Sequence, residues 1–181
     1  PMKKAYFLYK DGKMWSYDWD ASQWTKHATQ GDPSISGYNF VSCYDSKRAR
    51  IVQAFGNKLW FYDPATDTGS DPKAKGQEEV NARSCNESNL TYDAANDVIV
   101  LYLHHPAKGQ ENRKGLYFYN CQANAWTTTP RAVAPEMAKR GSYDQSAAFY
   151  DPELNVHFYF CAGDSSDNGL LWAYRYKNVK K

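Results

Sequence analysis

Residues 59–67 read LWFYDPATD, and this stretch decides the fold because variants of its first half recur along the chain. The pattern is a bulky residue, an aromatic residue, any residue and Tyr, and it returns at residues 14–17, 116–119 and 171–174. Successive copies are 45, 57 and 55 residues apart. Alternation of outward and inward side chains is typical of β-strands, so each copy predicts one strand.

A second motif, an aromatic residue followed by Asp, a short turn and a β-branched run, precedes three of these copies. It occupies residues 43–52, 91–100 and 149–158. A Trp-Thr pair follows the motif Tyr at Trp24 and Trp126, whereas the second repeat has Gly69 at that place. Each unit therefore predicts four short strands, named a, b, c and d. The a–b and c–d turns are rich in Asp, Asn and Pro, which set turn geometry.

Four strands repeated every 45 to 58 residues are typical of a β-propeller blade. The motifs resemble kelch and galactose-oxidase-like blades, although the kelch double glycine after strand b is absent. We therefore predict an all-β fold, a β-propeller of four-stranded antiparallel blades in a single domain over residues 1–181. A plain antiparallel sandwich is the alternative.

The four predicted blades do not all have four strands, because the chain starts at a strand b and stops after a strand c. Blade 1 lacks strand a and blade 4 lacks strand d. We favour a section of a larger propeller over a closed ring of four blades. The approximate blade boundaries are residues 3–36, 37–80, 81–138 and 139–178.

The charge balance and the length of the apolar runs argue against two classes of partner, nucleic acid and the membrane interior. With 22 basic and 20 acidic side chains, the chain lacks the excess positive charge of a nucleic-acid surface. No apolar run approaches 18 residues, so we predict no membrane insertion. We interpret the chain, which begins at Pro1, as a mature or excised piece. Its compartment stays unassigned, with a lean towards a secreted or extracytoplasmic location.

The cysteines are widely separated, and none has the spacing of a zinc ligand. We therefore predict four separate thiols, no metal site and no cofactor. The four cysteines are Cys43, Cys85, Cys121 and Cys161.

The b–c and d–a connections are long and irregular, unlike the short turns at the other end of each blade. Long loops on a rigid scaffold commonly carry binding sites, so we predict a binding face there. Arg83 and Arg140 hold equivalent d–a positions, where an Arg can bind carboxylate or phosphate or tie its loop to the next blade. The candidate binding residues are Arg83, Arg140, His104, His105, Arg113, Asp164 and Asp167.

Two of these groups superficially suggest a metal. His104 and His105 are adjacent, so their side chains at a strand end point in opposite directions and make a poor metal site. Residues 164–169 are similar in composition to a calcium-binding loop but lack its spacing and closing Glu. We interpret both segments as polar b–c connections.

The sequence contains no nucleophile elbow, paired-His metal motif or Gly-rich phosphate loop, and we assign no catalytic residues. We predict a binding or scaffold propeller that presents long loops to a protein partner or to remaining propeller blades. The galactose-oxidase-like resemblance implies the alternative, a carbohydrate-binding or carbohydrate-active propeller with a glycan ligand. Because the aromatic residues recur at core positions, we interpret them as packing residues.

Overall fold

A computed structural model describes residues 4–8, 13–28, 40–55, 58–78, 80, 88–103, 115–127, 146–161 and 170–177. Within these ranges the chain contains no helix, and its strands form four antiparallel sheets in chain order. This confirms the predicted all-β architecture of propeller blades.

Each sheet corresponds to one predicted blade. Blade 1 comprises β1 (Lys4–Leu8), β2 (Met14–Asp18) and β3 (Gln23–Lys26), which are strands b, c and d. Blade 2 comprises β4 (Phe40–Asp45), β5 (Arg50–Phe55), β6 (Lys58–Asp63) and β7 (Thr68–Ser70). Blade 3 comprises β8 (Asn89–Asp93), β9 (Val98–Leu103), β10 (Gly115–Asn120) and β11 (Ala125–Trp126). Blade 4 comprises β12 (Ser146–Asp151), β13 (Val156–Cys161) and β14 (Leu170–Tyr174), which are strands a, b and c.

All six described a–b and c–d turns share one design. Each is a four-residue loop whose last residue is left-handed, with φ between 49° and 55°. The Asp or Asn before the loop accepts hydrogen bonds from loop N–H groups, as Asp151 does from Glu153 and Leu154. In four turns the preceding Tyr also donates its hydroxyl to the left-handed Asp or Asn. The Tyr-Asp motif therefore marks a fixed turn.

Blades 2 and 3 lie inside the stack, and blade 3 is the more fully buried of the two. Alternate residues of β9 enter two separate apolar clusters, with Ile99 and Leu101 facing blade 2 and Val98 and Val100 facing blade 4. All six residues of β9 are buried. A third cluster, built around Met14, Trp60 and Tyr62, joins blade 1 to blade 2. The aromatic residues of the c strands in blades 2 and 3 are thus packing residues, as predicted.

Strand d of blade 2 exists despite its missing Trp. Gly69 pairs with Tyr62 in the register that places Trp24 opposite Tyr17 and Trp126 opposite Tyr119. A Cβ atom at Gly69 would overlap the indole ring of Trp60. The Trp60 ring from strand c therefore occupies the space beside Gly69, where blades 1 and 3 carry a strand d Trp.

Part of the connection from blade 2 to blade 3 is hydrogen-bonded to blade 3. The second repeat has Gly69 in place of the strand d Trp, yet Gly69 and Ser70 belong to β7. The following segment then lies against β11, where the Lys75 N–H donates to the Asn124 carbonyl and the Trp126 N–H donates to the Lys75 carbonyl. This segment covers the outer edge of blade 3.

Candidate functional site: the inner wall and the blade junctions

The predicted binding residues Arg83, Arg140, His104, His105, Arg113, Asp164 and Asp167 all lie outside the described residues. Their grouping on one face therefore stays a prediction. The flanking strands are described: residues 104–114 connect β9 to β10, and residues 162–169 connect β13 to β14. In each antiparallel sheet these b–c connections leave from the end opposite the four-residue turns.

The a strands of blades 2, 3 and 4 form an inner wall, since β8 lies between β4 and β12. A cavity of about 270 Å³ opens on this wall. Each strand contributes three consecutive residues at equivalent positions. The lining residues are Ser42, Cys43, Tyr44, Leu90, Thr91, Tyr92, Ala148, Phe149 and Tyr150.

The wall is uncharged at neutral pH. Burial, followed by the nearby Asp45 carboxylate, raises the pKa of the Cys43 thiol well above its usual value. Burial raises the pKa of Tyr150 to about 12, with Asp93 adding to the effect, and burial likewise raises the pKa of Tyr92. A protonated thiol is a weak nucleophile and a weak metal ligand. The wall can therefore offer hydrogen bonds and aromatic contacts to a neutral ligand.

A charged clamp joins the turns of blades 2 and 3. The Arg48 guanidinium donates two hydrogen bonds of 2.7 Å to the two carboxylate oxygens of Asp97. Arg48 and Arg50 also donate to Asp45, which is fully buried. Tyr92 donates to Asp97 at 2.9 Å. Because Arg48 belongs to blade 2 and Asp97 to blade 3, this network fixes the two blades relative to each other.

The clamp keeps the Asp97 carboxylate ionised. Its bonds with Arg48 lower the pKa of Asp97 far below the usual value, burial opposes this shift, and Tyr92 assists it. Arg50 also lies over the Phe61 ring, with its guanidinium carbon 3.6 Å from the ring centroid. A buried carboxylate is tolerated in this way only because charge-assisted bonds replace its hydration.

The junction between blades 3 and 4 uses an imidazole instead. The Thr91 hydroxyl and His157 Nδ1 share a hydrogen bond of 2.8 Å, and His157 Nε2 lies 3.5 Å from an Asp93 carboxylate oxygen. All three side chains are buried. Burial by itself would raise the pKa of Asp93, but His157 and the N–H groups of Asn96 lower it overall.

Sequence reasoning missed both junctions. His157 stands at the strand b position that carries Ile51 in blade 2 and Ile99 in blade 3. A polar residue at an apolar position of the repeat was a signal that could have identified it. For Arg48, the turn sequence indicates only a basic residue of the kind usual at an exposed turn. The sequence therefore contains no signal for its contact with Asp97, which lies 49 residues away.

Within the described ranges, no cluster of three or more His, Cys, Asp or Glu side chains could hold a metal ion. The same part of the chain has no helix that is long and apolar enough to cross a bilayer. Cys43 and Cys121 are both free thiols, as predicted for them.

The four antiparallel sheets, with strands β4, β8 and β12 side by side in the inner wall, define the class of protein as a β-propeller. The chain is similar to a chain in a solved structure described as the crystal structure of a mitotic checkpoint complex. The TM-score is 0.50 at 11% identity, over 97% of this chain and 46% of that chain. This chain thus spans less than half the length of the solved chain it matches, and the likeness shows the fold. No protein-family model and no curated protein matches the sequence.

Proposed function

We propose that this chain is a propeller module that binds a protein partner on the face formed by its b–c and d–a connections. The observation that carries the proposal is the contrast between the two ends of the blades. Six described turns at one end have the same length and the same hydrogen-bonded design. The connections at the other end, such as residues 104–114 and 162–169, differ in length, and loops that vary on a rigid scaffold commonly carry binding sites.

Two further observations support protein binding. The solved chain with the same fold belongs to a multi-protein complex. The inner wall is uncharged and carries hydroxyl and aromatic groups, which suit a peptide segment better than an ionic substrate. Arg83, Arg140 and Arg113, with His104, His105, Asp164 and Asp167, are the proposed contact residues. The kelch-like character of the repeats and the carbohydrate alternative remain predictions.

The test is affinity capture from the source cells with the wild-type chain and an Arg83→Ala/Arg140→Ala variant. We expect one stoichiometric protein to be retained by the wild type and its binding to fall roughly tenfold or more in the variant. Glu153→Ala is the matched control, because Glu153 is an exposed charged residue on the opposite, turn face.

Two outcomes would contradict the proposal: a folded chain that retains no partner, or a partner retained equally by the arginine variant. A glycan array run on the same proteins addresses the alternative. Glycan binding that is lost in the arginine variant would favour a carbohydrate-binding propeller.

A further inference from the structure

The outward face of blade 4 is built like a blade-to-blade interface. Its residues Phe158, Phe160 and Leu171 hold the positions of Val52, Ala54 and Leu59, which pack blade 2 against blade 3. Yet Leu171 is 64% exposed, while Leu59 and its blade 3 equivalent Leu116 are 1% and 4% exposed. Phe160 is likewise exposed, and Phe149 stacks on Phe158 with ring centroids 5.0 Å apart.

The outward face of blade 1 carries the residue types that, in the other blades, pack against the outward face of the preceding blade. Blades 2, 3 and 4 each pack against the preceding blade through the motif aromatic residues of strand c, such as Trp60 and Tyr62 in blade 2. Trp15 and Tyr17 hold these positions in blade 1. Trp24, which contacts Tyr17 with ring centroids 5.1 Å apart, is 52% exposed. Its blade 3 equivalent, Trp126, is 6% exposed because blade 2 and its following segment cover it.

The two faces do not cover each other within one copy, since both are exposed. A sheet face with several large exposed apolar side chains usually marks an interaction surface. One copy of this chain carries both complementary faces, so a second copy can satisfy both of them at the same time. A head-to-tail contact of this kind generates a ring when the rotation closes.

We propose that two copies of this chain join head to tail, with blade 4 of each packed on blade 1 of the other, in one closed ring of eight blades. Eight blades lie within the usual range for propellers. The surfaces involved differ from the loop face of the proposed function, so either proposal can fail alone. In the affinity-capture experiment, the retained protein could be a second copy of this chain. If the arginine variant retains that copy equally, the binding is assigned to the end faces and does not count for or against the loop face.

The test is the solution mass of the full 181-residue chain, measured by size-exclusion chromatography with light scattering at micromolar concentrations. We expect twice the monomer mass for the wild type. Leu171→Asp and Trp24→Asp should each yield monomers, because each places a charge in both junctions. Leu154→Asp is the control, since Leu154 is 55% exposed but lies in the β12–β13 turn.

Mixing the two monomeric variants distinguishes a head-to-tail contact from a face-to-face one. The Trp24→Asp copy keeps an intact blade 4 and the Leu171→Asp copy keeps an intact blade 1, so the mixture should regain dimers through one junction. A monomeric wild type, an open assembly larger than a dimer, a dimer unaffected by either variant, or a mixture that stays monomeric would each overturn the proposal. Circular dichroism confirms that each variant is folded.

Discussion

At the scale of single residues, buried carboxylates hold the turn ends of neighbouring blades together. Asp45 and Asp97 share the Arg48 guanidinium, and Asp93 lies beside His157 of the next blade. A buried carboxylate is costly unless it is paired and fully hydrogen-bonded. Each pairing therefore specifies which blade lies next to which.

Replacing Asp97 with Asn tests the electrostatic part of this clamp. Asn keeps the left-handed turn and an acceptor for Tyr92 but removes the charge that Arg48 binds. We expect the free energy of unfolding at pH 7 to fall by about 2 kcal/mol, the usual size for a bond to a charged group. Urea unfolding measures this difference.

The pH dependence of Asp97→Asn follows from the direction of the pKa shift. The folded-state pKa of Asp97 is lowered, so its contribution is present above the unfolded value of about 3.9 and is lost as pH falls below it. The difference between wild type and variant should therefore shrink below about pH 4. Glu153→Gln, which removes an exposed charge from the same face, should show little effect at either pH. An Asp97→Asn effect that is independent of pH would refute the clamp.

At the scale of the element, the a–b and c–d hairpins depend on one left-handed residue each. The residue is Asp or Asn in four turns, Ser22 in the first and Ala49 in the second. Asn and Asp tolerate this conformation because their side chains bond locally, whereas Ala has no such compensation. The β4–β5 turn is therefore the least favourable of the six.

Ala49→Asn should stabilise the protein by roughly 0.5–1 kcal/mol, because Asn relieves part of the left-handed strain at an exposed site. Thermal unfolding measures the gain. The reverse change, Asn124→Ala, should destabilise by about 1–2 kcal/mol, since it adds strain and removes the Tyr119 hydroxyl bond. If both substitutions shift stability in the same direction, the shared turn design is not the cause.

The hairpins also show what the sequence can and cannot predict. Tyr-Asp pairs such as Tyr92 and Asp93 act within one turn, so the repeat predicted the strands and turns correctly. Gly69 broke the repeat, yet strand d formed, because the Trp60 ring on the neighbouring strand fills the space. The Arg48–Asp97 clamp was not predictable, since it depends on how blades stack rather than on local pattern.

At the scale of the whole molecule, blades 2 and 3 each have neighbours on both faces, and blades 1 and 4 each have an exposed outward face. Blade 3 should be the most stable unit, because all six residues of its strand β9 are buried and local opening is rarest where most apolar surface is covered. The order of stability along the chain therefore tests whether the blades stack in sequence.

Native-state hydrogen exchange is the most direct test of this arrangement. It is best measured on the Leu171→Asp variant, because this variant should be monomeric and its end faces should not be covered by a second copy. The account predicts the slowest amide exchange in β9 and β10, intermediate rates in β5 and β13, and the fastest in β2 and β3. Exchange in β2 and β3 as slow as in β9, or fast exchange in β9, would contradict a stack in which blades 2 and 3 lie inside and blade 1 lies at one end.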